Sequence, residues 1–160
     1  MLVFHTLETK GARLMFVGHV GVNVTDLDRS TVFYQRVFGL DLPQAPDPAD
    51  PHRYARLTRD GELVLTLWPQ SEGSFRSDTP GLHHLAFQVA TPAEVERARA
   101  VLEELGARFA YDGVVPHRDG AESGGLFFFD PDGTRLEIAA AHAPLTGPAP
   151  SGTAPTCGFF

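Results

Sequence analysis

The stretch HLAFQV at residues 84–89 decides the fold, because it repeats the pattern of HVGVNV at residues 19–24. Both stretches read histidine, apolar, small, apolar, amide, valine. Successive side chains of a β-strand point to opposite faces, so each stretch predicts a half-buried strand with its histidine and its amide on the polar face. The repeat therefore predicts two copies of one structural unit.

Similar elements follow both strands. Thr91 and Glu94 form a capping box that predicts the start of a helix, and an apolar stripe at helical spacing follows each strand. Asp-Gly pairs at 60–61 and 132–133 supply residues that accept a positive φ, as a tight hairpin requires. The sequence thus predicts a unit of strand, helix and further strands that occurs twice.

The composition is that of a soluble globular protein. The chain has 160 residues, of which 42 % are hydrophobic and 21 % charged, and a formal net charge of −7. This charge argues against nucleic acid or an anionic membrane surface as the main partner. The one cysteine, Cys157, cannot form an intramolecular disulfide, and no apolar run has the length of a signal peptide or a membrane span. We expect a cytoplasmic protein.

Changes in composition divide the chain into four segments. Residues 1–14 precede the first strand-like run and are expected to be an N-terminal extension. Residues 15–72 form the first predicted unit and residues 80–142 the second, within one fused domain. Residues 143–160 are rich in proline, glycine and alanine, cannot build a core of their own, and are expected to form a flexible tail.

Two histidines occupy equivalent positions of the repeat. His84, rather than its neighbour His83, matches His19, and both matching histidines fall on the polar face of their strand. His83 would point to the opposite face or lie at the entrance of the strand, partly exposed. A pseudo-twofold relation between the two units would bring His19 and His84 face to face.

Glu137 completes a candidate metal site. It lies in the apolar run TRLEIAA and projects to the face opposite its apolar neighbours, where an uncompensated carboxylate costs free energy. Two neutral imidazoles and one carboxylate suit one divalent metal ion per chain, with Fe(II) expected first and Mn, Ni, Co or Zn as alternatives. The competing interpretation is an ion pair between Glu137 and an arginine such as Arg135 or Arg56 at a sheet edge.

The duplicated unit resembles the vicinal oxygen chelate superfamily. The resemblance rests on HVGVNV…FYQRVFGL in one half and HLAFQV…FFFDPDGTRLEI in the other, and it covers about residues 16–141. That group includes glyoxalase I, extradiol ring-cleaving dioxygenases, fosfomycin-resistance enzymes and bleomycin-binding proteins. The resemblance implies an α+β fold of paired βαβββ modules that form a curved mixed sheet, a cup around a metal ion, with helices on the outer face and often within a homodimer. By position, His19, His84 and Glu137 match three metal ligands of the family.

Departures from the family pattern leave the subclass open. Alignment of the two Asp-Gly turns places Leu65 opposite Glu137, where glyoxalase I has a fourth metal ligand, and leucine cannot bind a metal. Ring-cleaving dioxygenases commonly carry a tyrosine where this chain has Phe127, and the chain has no histidine where they keep an acid-base histidine. Fosfomycin-type enzymes carry a threonine where this chain has Gly21.

The resemblance therefore implies a divalent-metal-dependent enzyme that acts on a small-molecule substrate with neighbouring oxygens, and the first expectation is a ring-cleaving dioxygenase-like activity. The alternatives are a glyoxalase-like lyase or isomerase, a fosfomycin-type thiol transferase, and a non-catalytic bleomycin-type binding protein. Three further side chains could line the cup as substrate contacts: Asn23 and Gln88, which share the ligand faces of their strands and could bind substrate oxygens, and Phe127, which could form an apolar wall for a planar ligand. Asn23 and Gln88 could equally serve packing alone, and for Phe127 packing is the favoured role. His117 lies in a loop-like context, where it could gate the site or be solvated.

Overall fold

The repeated unit of the sequence appears in the structure as two halves, each with its own sheet and helix. The structure is a computed structural model that describes residues 17–150, so the expected extension at 1–14 and Cys157 lie outside the described residues. The elements are β1 (Val20–Asn23), α1 (Leu27–Phe38), β2 (Ala55–Arg59), β3 (Glu62–Trp68), β4 (Leu85–Val89), α2 (Pro92–Glu104), β5 (Phe109–Pro116), β6 (Gly124–Phe129) and β7 (Arg135–Ala140). Neither of these helices is long and apolar enough to cross a membrane.

The strands form two mixed sheets. The first sheet has the order β1-β3-β2 and the second the order β4-β7-β6-β5. In each half the first strand runs parallel to the last strand, and the remaining pairs are antiparallel. The predicted α+β architecture of two strand-helix-strand units is confirmed.

The first half has one strand fewer than the second. In the second half β5 follows the helix, whereas in the first half the corresponding chain forms only an isolated bridge between Asp41 and Thr58. The segment PQAPDPADP at residues 43–51 explains this difference, since four of its nine residues are prolines, which donate no backbone hydrogen bond to a ladder.

Local sequence signals set the helix ends. The Asp26 side chain caps α1 by accepting a hydrogen bond from the backbone N–H of Arg29 at 3.0 Å, and Gly39 ends this helix with a φ of 62°. The predicted capping box of Thr91 and Glu94 is present at the start of α2. The second helix therefore begins where the sequence predicts, and Asp26 and Gly39 set the two ends of α1.

Helix α1 joins the two halves through aromatic side chains. Tyr34 and Phe38 are buried on α1, and the Phe38 ring lies 4.1 Å from the Phe87 ring of β4 and 6.2 Å from the Phe128 ring of β6, between ring centroids. Phe87 and Phe128 point away from the face that carries Glu137, because successive side chains of a strand point to opposite faces and their neighbours Ala86 and Phe127 are the ladder partners of Glu137. The core thus lies on the helix side of the second sheet and leaves the other face for the candidate site.

The pairing register corrects one prediction. Gly21 of β1 pairs with Thr66, and Ala86 of β4, the equivalent residue of the repeat, pairs with Glu137. The equivalent of Glu137 is therefore Thr66 and not Leu65, which is fully buried in the core. The placement of Leu65 opposite Glu137 was wrong by one residue.

Turn length is the cause of this one-residue difference. Strands β2 and β3 are joined by the two residues Asp60 and Gly61, both with a positive φ, and the β2–β3 pairing shifts at a bulge. Strands β6 and β7 are joined by a longer loop: Phe129 of β6 pairs with Arg135 of β7, so residues 130–134 lie between them. Equivalent Asp-Gly pairs therefore do not place the following strands in the same register.

The beginning of the expected flexible tail is attached to the second sheet. The backbone N–H groups of Thr146 and Gly147 donate to the carbonyl of Val114 on β5, and the Thr146 hydroxyl accepts from the Val114 N–H at 3.0 Å. Gly113 and Gly147 permit this close approach of the two segments. Thr146 and Gly147 thus bond to the outer edge of β5 at Val114, whereas residues 151–160 lie outside the described chain.

A buried carboxylate organises the turn between β6 and β7. One oxygen of Asp130 accepts hydrogen bonds from the backbone N–H groups of Asp132 and Thr134, and the other accepts from the Tyr34 hydroxyl at 2.9 Å. Burial raises the pKa of Asp130, and burial together with the charge of Asp130 raises the pKa of Tyr34. The turn is thereby fixed to α1 of the other half.

We expect Tyr34→Phe to destabilise the fold. The substitution leaves a buried oxygen of Asp130 without its side-chain donor, which should lower the free energy of unfolding by about 1–3 kcal/mol in urea denaturation. Tyr54→Phe is the matched control, since Tyr54 is 40 % exposed and stacks on Trp68. Equal stability of Tyr34→Phe and the wild type would contradict this role of the hydroxyl.

Candidate metal centre

Glu137 is a fully buried carboxylate in the middle of the second sheet. It lies on β7 between Ala86 of β4 and Phe127 of β6, its partners in the two ladders. Gly125 on β6 leaves room for the carboxylate, because a Cβ at this position would collide with the Glu137 side chain. A charge in this place requires compensating partners, since burial without them costs free energy.

Two histidines contact the carboxylate, one at each oxygen. His117 Nε2 lies 2.7 Å from Oε1 of Glu137, and His84 Nε2 lies 3.2 Å from Oε2. The first contact is a hydrogen bond, whereas Oε2 is buried and accepts no hydrogen bond from the described residues. The arrangement places two basic nitrogens around one carboxylate and leaves one oxygen with unmet bonding capacity.

The contact between His84 and Oε2 fits a shared cation. Two ligands that bind one transition metal ion at their usual distances lie roughly 3.0–3.4 Å apart, and the observed 3.2 Å falls within this range. His83 is exposed, and its Nδ1 lies 2.8 Å from Nδ1 of His84, so the second ring nitrogen of His84 already has a hydrogen-bond partner. The residues present therefore fit a divalent metal ion between His84 and Glu137.

The electrostatic environment favours neutral His84. Burial lowers the pKa of His84, and the charges of His83 and Arg135 lower it further, while the negative charge of Glu137 acts in the opposite direction. A neutral imidazole keeps the lone pair that a metal ligand needs. The carboxylate thus contacts two histidines, whereas the competing interpretation of the sequence was an ion pair with an arginine such as Arg135 or Arg56.

His117 is the site residue whose importance the sequence analysis missed. It directly follows β5, which pairs with β6, and its Nδ1 lies 3.1 Å from the Ser123 hydroxyl across this pairing. The ring is thus held at both nitrogens, one at Ser123 and one at Glu137. The one available signal was its place directly after the apolar VVP run, and only the strand order relates that run to β7.

His19 does not join His84 and Glu137 within one chain. It is exposed and directly precedes β1, which belongs to the other sheet and makes no contact with β4. Between residues 17 and 150, no three His, Cys, Asp or Glu side chains are arranged to hold a metal ion. Both β1 and β4 end their sheets, so each has one edge without a neighbouring strand in the described part of the chain.

The three expected substrate contacts have different surroundings. Asn23 is exposed at the end of β1 and lines a small cavity with Ser71 and Thr134. Gln88 is exposed on β4 and shares the face of Glu137. Phe127 is fully buried beside Glu137, its ladder partner on the same face, so its ring forms part of the floor of the cup.

Comparisons with known proteins agree with this architecture. The family model described as the Glyoxalase/Bleomycin resistance protein/Dioxygenase superfamily matches residues 16–138. A catechol-2,3-dioxygenase of Bacillus subtilis (strain 168) is 32 % identical over 128 residues, which cover 78 % of this chain and 41 % of the relative, so the chain spans less than half of that protein. Glyoxylase I 4 of Arabidopsis thaliana is 30 % identical over 128 residues, covering 78 % of this chain and 70 % of the relative.

Solved structures share the fold. A glyoxylase/bleomycin resistance protein/dioxygenase domain from Frankia sp. EAN1pec superposes with a TM-score of 0.65 at 24 % identity, covering 80 % of this chain and 93 % of that one. A mutant of the fosfomycin resistance protein FosX from Listeria monocytogenes, in complex with Mn(II) and a dihydroxypropylphosphonic acid, superposes with a TM-score of 0.62 at 20 % identity, with the same coverage. At these identities the likeness concerns the fold.

We expect Gly125→Ala to disturb the Glu137 carboxylate. The added methyl group would occupy the space of the carboxylate and push it away from His117, which should lower the free energy of unfolding by about 1–3 kcal/mol through overpacking. Gly73→Ala is the control, because a Cβ there meets nothing within 4 Å. Urea unfolding of both variants measures the difference, and equal stability of the two would contradict the close packing around Glu137.

Proposed function

Because the chain belongs to the Glyoxalase/Bleomycin resistance protein/Dioxygenase superfamily, we propose that it is a divalent-metal-dependent enzyme that cleaves the ring of an aromatic ortho-diol with O₂. The proposed metal site rests on the buried Oε2 of Glu137, which accepts no hydrogen bond from the described residues and lies 3.2 Å from His84 Nε2. The similarity to a catechol-2,3-dioxygenase supports the substrate class.

Three protein ligands would hold the ion: His84, Glu137 and His19. His19 would come from a second copy of the chain, because β1 and β4 lie in separate sheets and each has an edge without a neighbouring strand in the described chain. Such edges readily pair with another chain. In a twofold dimer, β1 of each copy would lie beside β4 of the other copy. One interface would therefore complete both metal sites.

The bound ion would supply Lewis acidity and hold two neighbouring oxygens of the substrate. Thr66 is the equivalent of Glu137 in the first half, and it has no carboxylate that could be a fourth ligand. This supports an ion with three protein ligands and open coordination positions for the substrate. Ala86 and Ala139 are the small side chains beside Glu137 on the same face of the sheet. They leave space for a planar ring above the carboxylate.

His117 would move the proton of the substrate. Its Nε2 faces Glu137 at 2.7 Å, and Ser123 fixes the ring from the other side. A substrate oxygen bound beside Glu137 would be within reach of this nitrogen. In the tautomer whose Nδ1–H donates to Ser123, Nε2 would give up its hydrogen bond to Glu137, accept the hydroxyl proton of the substrate and later return it. Phe127 carries no hydroxyl, so the proton transfer falls to the histidine. Gln88 on the rim, and Asn23 on the same face as His19, would bind outer oxygens of the substrate.

Mixed dimers test the origin of the ligands. His19→Ala and Glu137→Ala chains, each purified alone, should bind no metal, because every site lacks one ligand. A dimer of one chain of each kind, isolated through two different affinity tags, should bind one ion where the wild-type dimer binds two, since one of its sites keeps all three ligands. Elemental analysis measures the content. A mixed dimer without metal would place all ligands in one chain, and a single variant with full metal content would remove that residue from the set.

Turnover tests the proposed reaction. Wild-type protein reconstituted with Fe(II) or Mn(II) without oxygen should, on addition of catechol and O₂, consume one O₂ per catechol and give a ring-opened product with both oxygen atoms. His117→Asn should retain the metal and lose roughly 10²–10⁴-fold in kcat, the usual contribution of a positioned acid-base group. Loaded protein that leaves catechol intact would contradict ring cleavage and favour lyase or isomerase chemistry at the same centre.

A further inference from the structure

A cation lies in the cup beside the candidate metal ligands. Arg135 is two residues before Glu137 on β7, so both side chains lie on the same face of the sheet, roughly 7 Å apart along the strand. The Arg135 Nη2 donates a hydrogen bond to the Tyr111 hydroxyl of β5 at 3.0 Å. The guanidinium therefore lies on the sheet face whose Glu137 contacts His84 and His117.

Aromatic rings hold this guanidinium in position. Its central carbon lies 5.2 Å from the centroid of the Phe127 ring and 5.7 Å from that of Tyr111. Tyr111 in turn contacts Phe127 edge-on, at 5.5 Å and 89°, and His84 contacts the same ring from 6.3 Å. Phe127 thus links the imidazole of the metal site to the cation, and both groups lie around one rigid ring.

The chemistry of this pair suits a carboxylate. A guanidinium presents several donors in a planar fork that matches the two oxygens of a carboxylate. The Tyr111 hydroxyl accepts a hydrogen bond from Arg135 and so holds the guanidinium from the side of β5. Although the formal net charge of the chain is −7, a cation fixed beside the candidate ligands attracts an anionic group locally.

We propose that the substrate of this cup carries a carboxylate on its ring, opposite the two oxygens that bind beside Glu137, and that Arg135 binds this carboxylate while Tyr111 orients Arg135. This inference rests on the proposed function and specifies the substrate class of that site. Arg135 and Glu137 lie roughly 7 Å apart along the strand, which is about the length of one aromatic ring with its substituents. Arg135 determines specificity, and Tyr111 is a positioning residue.

Binding to metal-free protein tests the carboxylate site without any turnover. Benzoate should bind the wild type at least tenfold more tightly than its neutral analogue benzamide, as measured by calorimetric titration. Arg135→Gln should remove this preference, Arg135→Lys should keep part of it, and Tyr111→Phe should reduce it several-fold. Arg97→Gln is the control and should change nothing, because Arg97 lies exposed on α2, 3.9 Å from Glu94. A wild type without the preference, or an Arg135→Gln variant that retains it, would overturn the proposal.

Turnover separates this proposal from the proposed function. The metal-loaded wild type should show a kcat/KM for protocatechuate, a catechol with one ring carboxylate, at least tenfold above that for catechol, and Arg135→Gln should make the two values equal mainly through KM. Turnover of both diols at equal kcat/KM would overturn the carboxylate site alone. Turnover of neither, with the benzoate preference intact, would overturn ring cleavage while supporting the site.

Discussion

Compensation of one buried charge is the constraint on which the site depends. Glu137 is fully buried in the middle of a sheet, where a carboxylate without partners would cost more free energy than most single contacts return. His117 satisfies one of its oxygens, whereas the other oxygen faces the nitrogen of His84 without a hydrogen bond. Gly125 is part of the same constraint, because a larger residue would displace the carboxylate. The surrounding strands are arranged so that this charge has partners on both sides.

The position of these partners depends on contacts between the two halves of the chain. The turn that precedes β7 is held by Asp130, which accepts a hydrogen bond from Tyr34 of the first helix, and by Asp132, which forms an ion pair with Arg29 at 2.7 Å. The Phe38 ring of the same helix packs on the far side of the second sheet. The first half therefore supports β7 from behind, while the face with Glu137 stays available for a ligand.

The arrangement of the sheets divides the candidate ligands. His84 and Glu137 belong to the second sheet, and His19 precedes the edge strand of the first. A single copy of the chain leaves this ligand set incomplete, and an isologous pair would complete two sites at once. Function and assembly would then be linked, because the edges that pair would also carry the ligands. The cation of Arg135, on the same face as Glu137, would select among the substrates that reach such a site.

The sequence determined the elements and their repetition, because alternation, capping residues and Asp-Gly turns act over a few neighbouring residues. It also indicated His84 and Glu137 correctly as neighbours on polar faces. The tertiary structure alone decided three points. The first is that Thr66, and not Leu65, is the residue of the first half that is equivalent to Glu137, since the register depends on turn length and a bulge. His117 reached Glu137, and His19 remained apart, since the order of strands in a sheet follows from long-range packing that no local pattern encodes.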